Sequence, residues 1–191
     1  IYRALLEGAD RVACPWPTYG LYDDLAAIQG VAIEHVDWAR EWALPAVLPR
    51  LGAKLILLAN PNNPSGTVVP VPELRRLADA LDGILVVDEA YVDFCPGGSI
   101  LPHLGQHPNL IVLRTFSKSY SLAGGRLGLL FAAAPLIDAF MKVKDSYNCD
   151  TLSILGGAAA LDDAPYLADI RSRVLATRDR LTRAVSELGY T

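Results

Sequence analysis

Sulfur is scarce in this chain: 191 residues carry one methionine and three cysteines, Cys14, Cys95 and Cys149. An odd number of cysteines with no C-x-x-C pair excludes a disulfide framework and a zinc ribbon, and points to a reducing, cytoplasmic setting. The three histidines, His35, His103 and His107, lie apart without metal-ligand spacing. No metal site is therefore expected, and capping or surface roles are. No uninterrupted apolar run reaches the roughly 18 residues a membrane helix needs. Positive charge is not in excess either, since 17 basic against 21 acidic side chains leave a net charge of −4, which argues against nucleic acid as a partner. The phosphate loop G-x-x-x-x-G-K-[ST] is missing, there being no Gly-Lys pair, and so are G-x-G-x-x-G, G-x-S-x-G and H-E-x-x-H, whose absence weakens ATPase, dinucleotide-binding and hydrolase readings. Repeats and low-complexity segments are absent too. What remains is a chain 52% hydrophobic and 20% charged, the balance of a folded domain with a sizeable core.

Short apolar runs rich in Val, Ile and Leu alternate with longer segments of helical period. The runs at 11–14, 31–36, 54–59, 83–87, 109–113 and 127–132 are strand candidates, mostly apolar on both faces, as a parallel strand covered on both sides requires. Between them, helices are expected over 21–28 and from Pro72-Glu73 onward, the latter placing Leu74, Leu77, Ala78 and Leu81 on one stripe. Further helices are expected over 135–143 and 165–188. This is the rhythm of an α/β fold, three layers with a mostly parallel central sheet.

Ligands of open parallel sheets bind outside the carboxyl ends of the strands. Pro15-Trp16-Pro17-Thr18-Tyr19 follows the first strand candidate. Asn60-Pro61-Asn62-Asn63-Pro64-Ser65-Gly66 follows the third, Asp88-Glu89-Ala90-Tyr91 the fourth, and Arg114-Thr115-Phe116-Ser117-Lys118 the fifth, with Arg126 soon after. Taken singly, each has an ordinary reading: Asp88 as a helix cap, Lys118 and Arg126 as surface charges, Asn63 as a turn former, Tyr19 and Tyr91 as core edges with wet hydroxyls. Taken together, they match the needs of pyridoxal phosphate. Its aldehyde needs a lysine, its pyridine nitrogen a carboxylate, its phosphate an arginine and hydroxyls, its ring oxygen neutral donors, and its ring face an aromatic or apolar plate.

In order and wording these motifs resemble the fold-type I pyridoxal-phosphate aminotransferases. Within that family, Pro17-Thr18-Tyr19, the Asn-Pro turn, Asp88 through Phe94, Thr115-Phe116-Ser117-Lys118 and the segment from Lys142 to Asn148 are most similar to the histidinol-phosphate aminotransferases. The resemblance implies that Lys118 carries the cofactor and shuttles a proton between substrate and cofactor, and that Asp88 pairs with the pyridinium. It further implies that Asn63 and Tyr91 hydrogen-bond the ring oxygen, that Tyr19 stacks on the ring, and that Ser117 and Arg126 hold the phosphate. A homodimer acting on a small-molecule amino donor and a 2-oxo acid acceptor follows from the same likeness. Gly125 departs from the family, standing where a bulkier apolar residue more usually precedes the phosphate-binding arginine.

The ends carry expectations of their own. Residues 1–6 read as the last turns of a helix that Gly8 stops, and the chain begins without methionine. Residues 1–163 are expected to form the large cofactor-binding domain, and 164–191 a long helix leading toward a small domain that is largely missing, together with the arginine that grips the substrate carboxylate. On that reading the 191 residues alone are not a competent transaminase. Three alternatives stay open at this point: a threonine-phosphate decarboxylase-like or aromatic or aspartate aminotransferase on the same fold, a non-catalytic relative, and, remotely, a P-loop ATPase whose apolar strand ends in Asp88-Glu89.

Overall fold

A computed structural model describes residues 1–190. Six strands, β1 (Arg11–Trp16), β2 (Ala32–Asp37), β3 (Leu55–Ala59), β4 (Ile84–Asp88), β5 (Leu110–Thr115) and β6 (Gly128–Ala132), form one sheet in the order β2-β1-β3-β4-β5-β6. The pairings of β1 with β2 and β3, of β3 with β4, and of β4 with β5 are parallel. All six strand candidates are present, each within a few residues of its expected bounds. The sheet confirms the α/β architecture.

The helices are α1 (Tyr2–Leu5), α2 (Leu21–Gln29), α3 (Val71–Ala80), α4 (Ala134–Val143), α5 (Thr151–Asp162) and α6 (Ala164–Glu187). Parallel neighbours need crossover connections; α2 lies between β1 and β2 and α3 between β3 and β4, whereas short 3-10 turns lead from β4 to β5. Helix α2 stops where Gly30 turns left-handed at φ 73°, a conformation glycine adopts without a steric penalty. Helix α3 carries Pro in its first turn and buries Leu74, Leu77 and Ala78, the stripe seen in the sequence.

Alternation along the central strands divides the core in two. Ile56, Leu58, Leu85, Val87, Leu110 and Val112 pack on the face that α3 covers. Leu55, Leu57, Val86 and Ile111 pack on the opposite face with Tyr22 and Ala26 of α2, and with Leu136 and Phe140 of α4 against them. Burying both faces explains why these strands read as continuous apolar runs. Strand β2 differs, with Ala32, His35 and Asp37 exposed and none of its residues fully buried, and it lies at the sheet edge.

Two compact units make up the chain: Ile1–Arg114 with Leu129–Asn148, and Thr115–Gly128 with the described residues from Cys149 on. In the second, Gly157 of α5 sits where a Cβ would strike the Leu127 side chain. Of the capping and surface roles expected for the histidines, His107 takes the first: it caps the C-terminus of the 3-10 helix Leu101–Gln106 and is 3% exposed, with Nδ1 2.9 Å from the Asp79 carboxylate. No helix among the described residues is long and apolar enough to cross a membrane.

Candidate active site

At the carboxyl edge of the sheet, two loops of the first unit are tied by amide side chains. Asn60, fully buried, donates from Nδ2 to the Val69 carbonyl (3.2 Å) and accepts from the Val69 N–H (2.7 Å), closing the base of the proline turn. Asn62, 3% exposed, donates to the Pro17 carbonyl (3.1 Å) and to Ser65 Oγ (2.8 Å), and accepts from Thr18 Oγ1 (3.1 Å). The three asparagines of the motif thus divide: Asn60 and Asn62 hold the loops, and Asn63 follows half-buried.

Strand β4 delivers two consecutive carboxylates, and alternation sends them to opposite faces. Glu89, 1% exposed, accepts from Ser99 Oγ (2.8 Å), the Ile100 N–H (2.7 Å) and Arg114 Nε (2.9 Å). Arg114 also reaches Asp93 at 3.3 Å and Ser99 Oγ at 2.9 Å. Glu89 is therefore a structural anchor between β4, β5 and the loop after β4.

Asp88 is half-buried and differently placed. Its Oδ1 accepts the Ala90 N–H at 3.0 Å, and its Oδ2 accepts the hydroxyl of Tyr22 at 3.0 Å. Tyr22 is 5% exposed. Burial first, then the charge of Asp88 and its hydrogen bond, push the ionisation of that phenol far above the ordinary range, so the hydroxyl is a donor. Tyr19, largely exposed, meets Tyr22 edge-on, with ring centroids 5.7 Å apart at 83°. Tyr91 is half-buried, in the turn just after Asp88. One face of unit one thus gathers Asp88 with Tyr22, and Tyr22 with Tyr19.

Ser117, Lys118 and Arg126 belong to the second unit, in the loop into which β5 runs. The loop closes on itself. The Ser117 N–H donates to Thr115 Oγ1 (3.1 Å), the Ser121 N–H to the Lys118 carbonyl (3.0 Å), and the Phe116 N–H to the Leu127 carbonyl (3.1 Å). Buried Phe116 packs on Tyr120 at 4.9 Å, fixing the chain on either side of exposed Lys118. Gly125 does not take a glycine-only conformation; Arg126 itself turns left-handed at φ 47°, its guanidinium donating to the Ala123 carbonyl at 2.8 Å.

A family model described as "Aminotransferase class I and II" matches residues 1–191. This chain belongs to that aminotransferase family. It is 42% identical over 192 residues to a histidinol-phosphate aminotransferase of Rhodopirellula baltica, covering all of this chain and 53% of the relative. To histidinol-phosphate aminotransferase 1 of Trichormus variabilis it is 40% identical, covering all of this chain and 54% of that protein. Among solved structures, the histidinol-phosphate aminotransferase of Sinorhizobium meliloti in complex with pyridoxal-5'-phosphate superposes with a TM-score of 0.89 at 31% identity, over 98% of this chain and 53% of that one. The chain spans about half the length of the curated relatives it matches. Membership in an aminotransferase family removes the P-loop ATPase reading, and the commitment of Glu89 to Arg114, Ser99 and Ile100 shows why Asp88-Glu89 is not a paired metal-binding end of a strand. Sequence reasoning missed Tyr22. Its position three residues after Tyr19, in the first turn of α2, was the only available signal, and nothing in it distinguishes a core phenol from one that bonds a carboxylate across the sheet.

Proposed function

We propose that the protein carrying this chain is a pyridoxal-phosphate-dependent aminotransferase that transfers the amino group of L-histidinol phosphate to 2-oxoglutarate. The products are imidazole-acetol phosphate and L-glutamate, formed by a ping-pong route in a cytoplasmic homodimer. The observation that carries this reading is Asp88: a carboxylate at the carboxyl end of a central parallel strand, oriented by the Tyr22 hydroxyl and the Ala90 N–H. It fits a protonated pyridine nitrogen, for which an ionised carboxylate is the natural partner. The likeness to histidinol-phosphate aminotransferases over the whole chain supports the substrate.

In this reading pyridoxal phosphate supplies, when bound, the electron sink for the pair left on the substrate α-carbon. The chain's own residues do the rest. Asp88 keeps the ring nitrogen protonated. Asn63 and Tyr91 donate to the ring oxygen, Tyr19 lies against the ring, and Ser117 and Arg126 hold the phosphate. Lys118 would hold the cofactor through its Nζ and would carry the proton at the substrate α-carbon.

The test is borohydride reduction of the full-length protein with pyridoxal phosphate, followed by peptide mapping beside a Lys118→Ala control. The adduct is expected on Lys118 and absent from the control. An adduct elsewhere, or none, refutes the assignment. Comparing histidinol phosphate with threonine phosphate as substrates then tests the specificity.

A further inference from the structure

We propose that Tyr22 is a positioning residue for Asp88, its buried hydroxyl fixing the orientation of that carboxylate for a pyridinium partner. The inference rests on the cofactor reading above and deepens it. Tyr22 is 5% exposed, and its hydroxyl reaches from the first turn of α2 to the far end of β4, 66 residues away in sequence, to donate to Asp88 Oδ2 at 3.0 Å. The Ala90 N–H occupies Oδ1 at 3.0 Å. With one donor on each oxygen, rotation about the carboxylate's own bond breaks both contacts, so its plane is fixed.

The phenol is itself held. Its backbone carbonyl accepts the hydroxyl of Tyr2 at 3.1 Å, and its ring meets Tyr19 edge-on. The other titratable groups close enough to influence it are Cys14 of β1 and Tyr2 of α1, both kept protonated by burial. Among the described residues, Asp88 supplies the charge that acts on this hydroxyl. A neutral donor on a carboxylate in such surroundings stabilises the ionised form without neutralising it. A lysine or arginine in its place would compete with the pyridinium for the same charge.

Tyr22→Phe removes the hydroxyl and keeps the ring, so the packing against Tyr19 survives. In the full-length protein, dialysis against pyridoxal phosphate is expected to show retention weakened about ten-fold, the scale of one hydrogen bond to a charged group. The decisive comparison is the deaza analogue of the cofactor, in which carbon replaces the ring nitrogen. Acting through Asp88, Tyr22 should leave retention of that analogue unchanged by the substitution. Equal weakening of both ligands would mean a merely structural phenol and overturn the inference, as would no weakening of either. A fluorotyrosine at position 22 gives a second measurement that keeps the hydroxyl. Its fluorine resonance is expected to differ between the two loaded forms, and identical resonances count against the proposal. If wild-type protein forms no adduct on Lys118, the cofactor reading falls and this inference with it. An adduct in wild type with unaltered retention in Tyr22→Phe removes this inference alone.

Discussion

Replacing Arg114 with methionine strands the Glu89 carboxylate. The Glu89 side chain has no exposure and that of Arg114 is 25% exposed, with Nε and Oε2 2.9 Å apart. Removing one partner of a buried pair costs about 3–5 kcal/mol, because the remaining charge stays in the core. Two neutral donors, Ser99 Oγ and the Ile100 N–H, stay on Glu89, and water can enter through the partly exposed position of the lost guanidinium. Both place the cost at the low end, about 3 kcal/mol. With a urea dependence of about 3 kcal/mol per molar, the unfolding midpoint should fall by about 1 M. A second substitution checks the cause. Glu89→Gln in the Arg114→Met background removes the stranded charge while its amide oxygen can still accept from the Ile100 N–H and its amide NH2 can donate to Ser99 Oγ, so about 1–2 kcal/mol should return. A midpoint shift worth less than about 1 kcal/mol, or a double variant weaker than the single one, refutes the argument.

Two further outcomes concern the sheet. Gly83 precedes β4 at a point where a Cβ would lie 2.6 Å from the Ala53 carbonyl oxygen and 2.8 Å from that of Lys54. Because both are backbone atoms, Gly83→Ala should cost about 1–3 kcal/mol in urea titration, and a neutral result would show that the strand entry shifts freely. Burial, with Asp23 adding to it, pushes the Cys14 thiol from 9.0 up to about 12. The unfolded thiol ionises first as pH rises, so this contribution to stability is complete below pH 9.0 and is lost progressively toward pH 12. Over that interval Cys14→Ala should lose stability less steeply with pH than wild type; equal slopes would contradict the assignment.

Much of the fold was legible because the two-faced burial of a parallel sheet leaves a direct mark, apolar runs too short for helices with turn residues between them. Helix α5 was not legible. Its sequence, Thr151-Leu152-Ser153-Ile154-Leu155-Gly156-Gly157-Ala158-Ala159-Ala160-Leu161-Asp162, is apolar around its circumference and interrupted by two glycines, so no stripe repeats at the helical period. The strand-end motifs could be picked out as a set. Their internal division of labour could not, since nothing local separates Asn60 and Asn62, which bind loop backbone, from Asn63. The partnership of Tyr22 with Asp88 is tertiary and has no local signature. For Ser117, Lys118 and Arg126, the folded loop adds the left-handed turn at Arg126, where the sequence had drawn attention to Gly125 instead.

The alternation along β4 gives its register a meaning beyond packing. Val86 and Asp88 share one phase of the strand and Val87 and Glu89 the other, so the carboxylate facing α2 and the carboxylate buried against Arg114 are told apart by a single residue step. Losing one residue within the strand would put a glutamate where Tyr22 reaches, draw the aspartate one step back into the phase of Val87, and leave Ala90, with no carboxylate, where the Arg114 network waits. Strand β4 therefore acts as a ruler: its length in residues, as much as its composition, decides which acid stands within reach of Tyr22 and which is spent on holding the sheet.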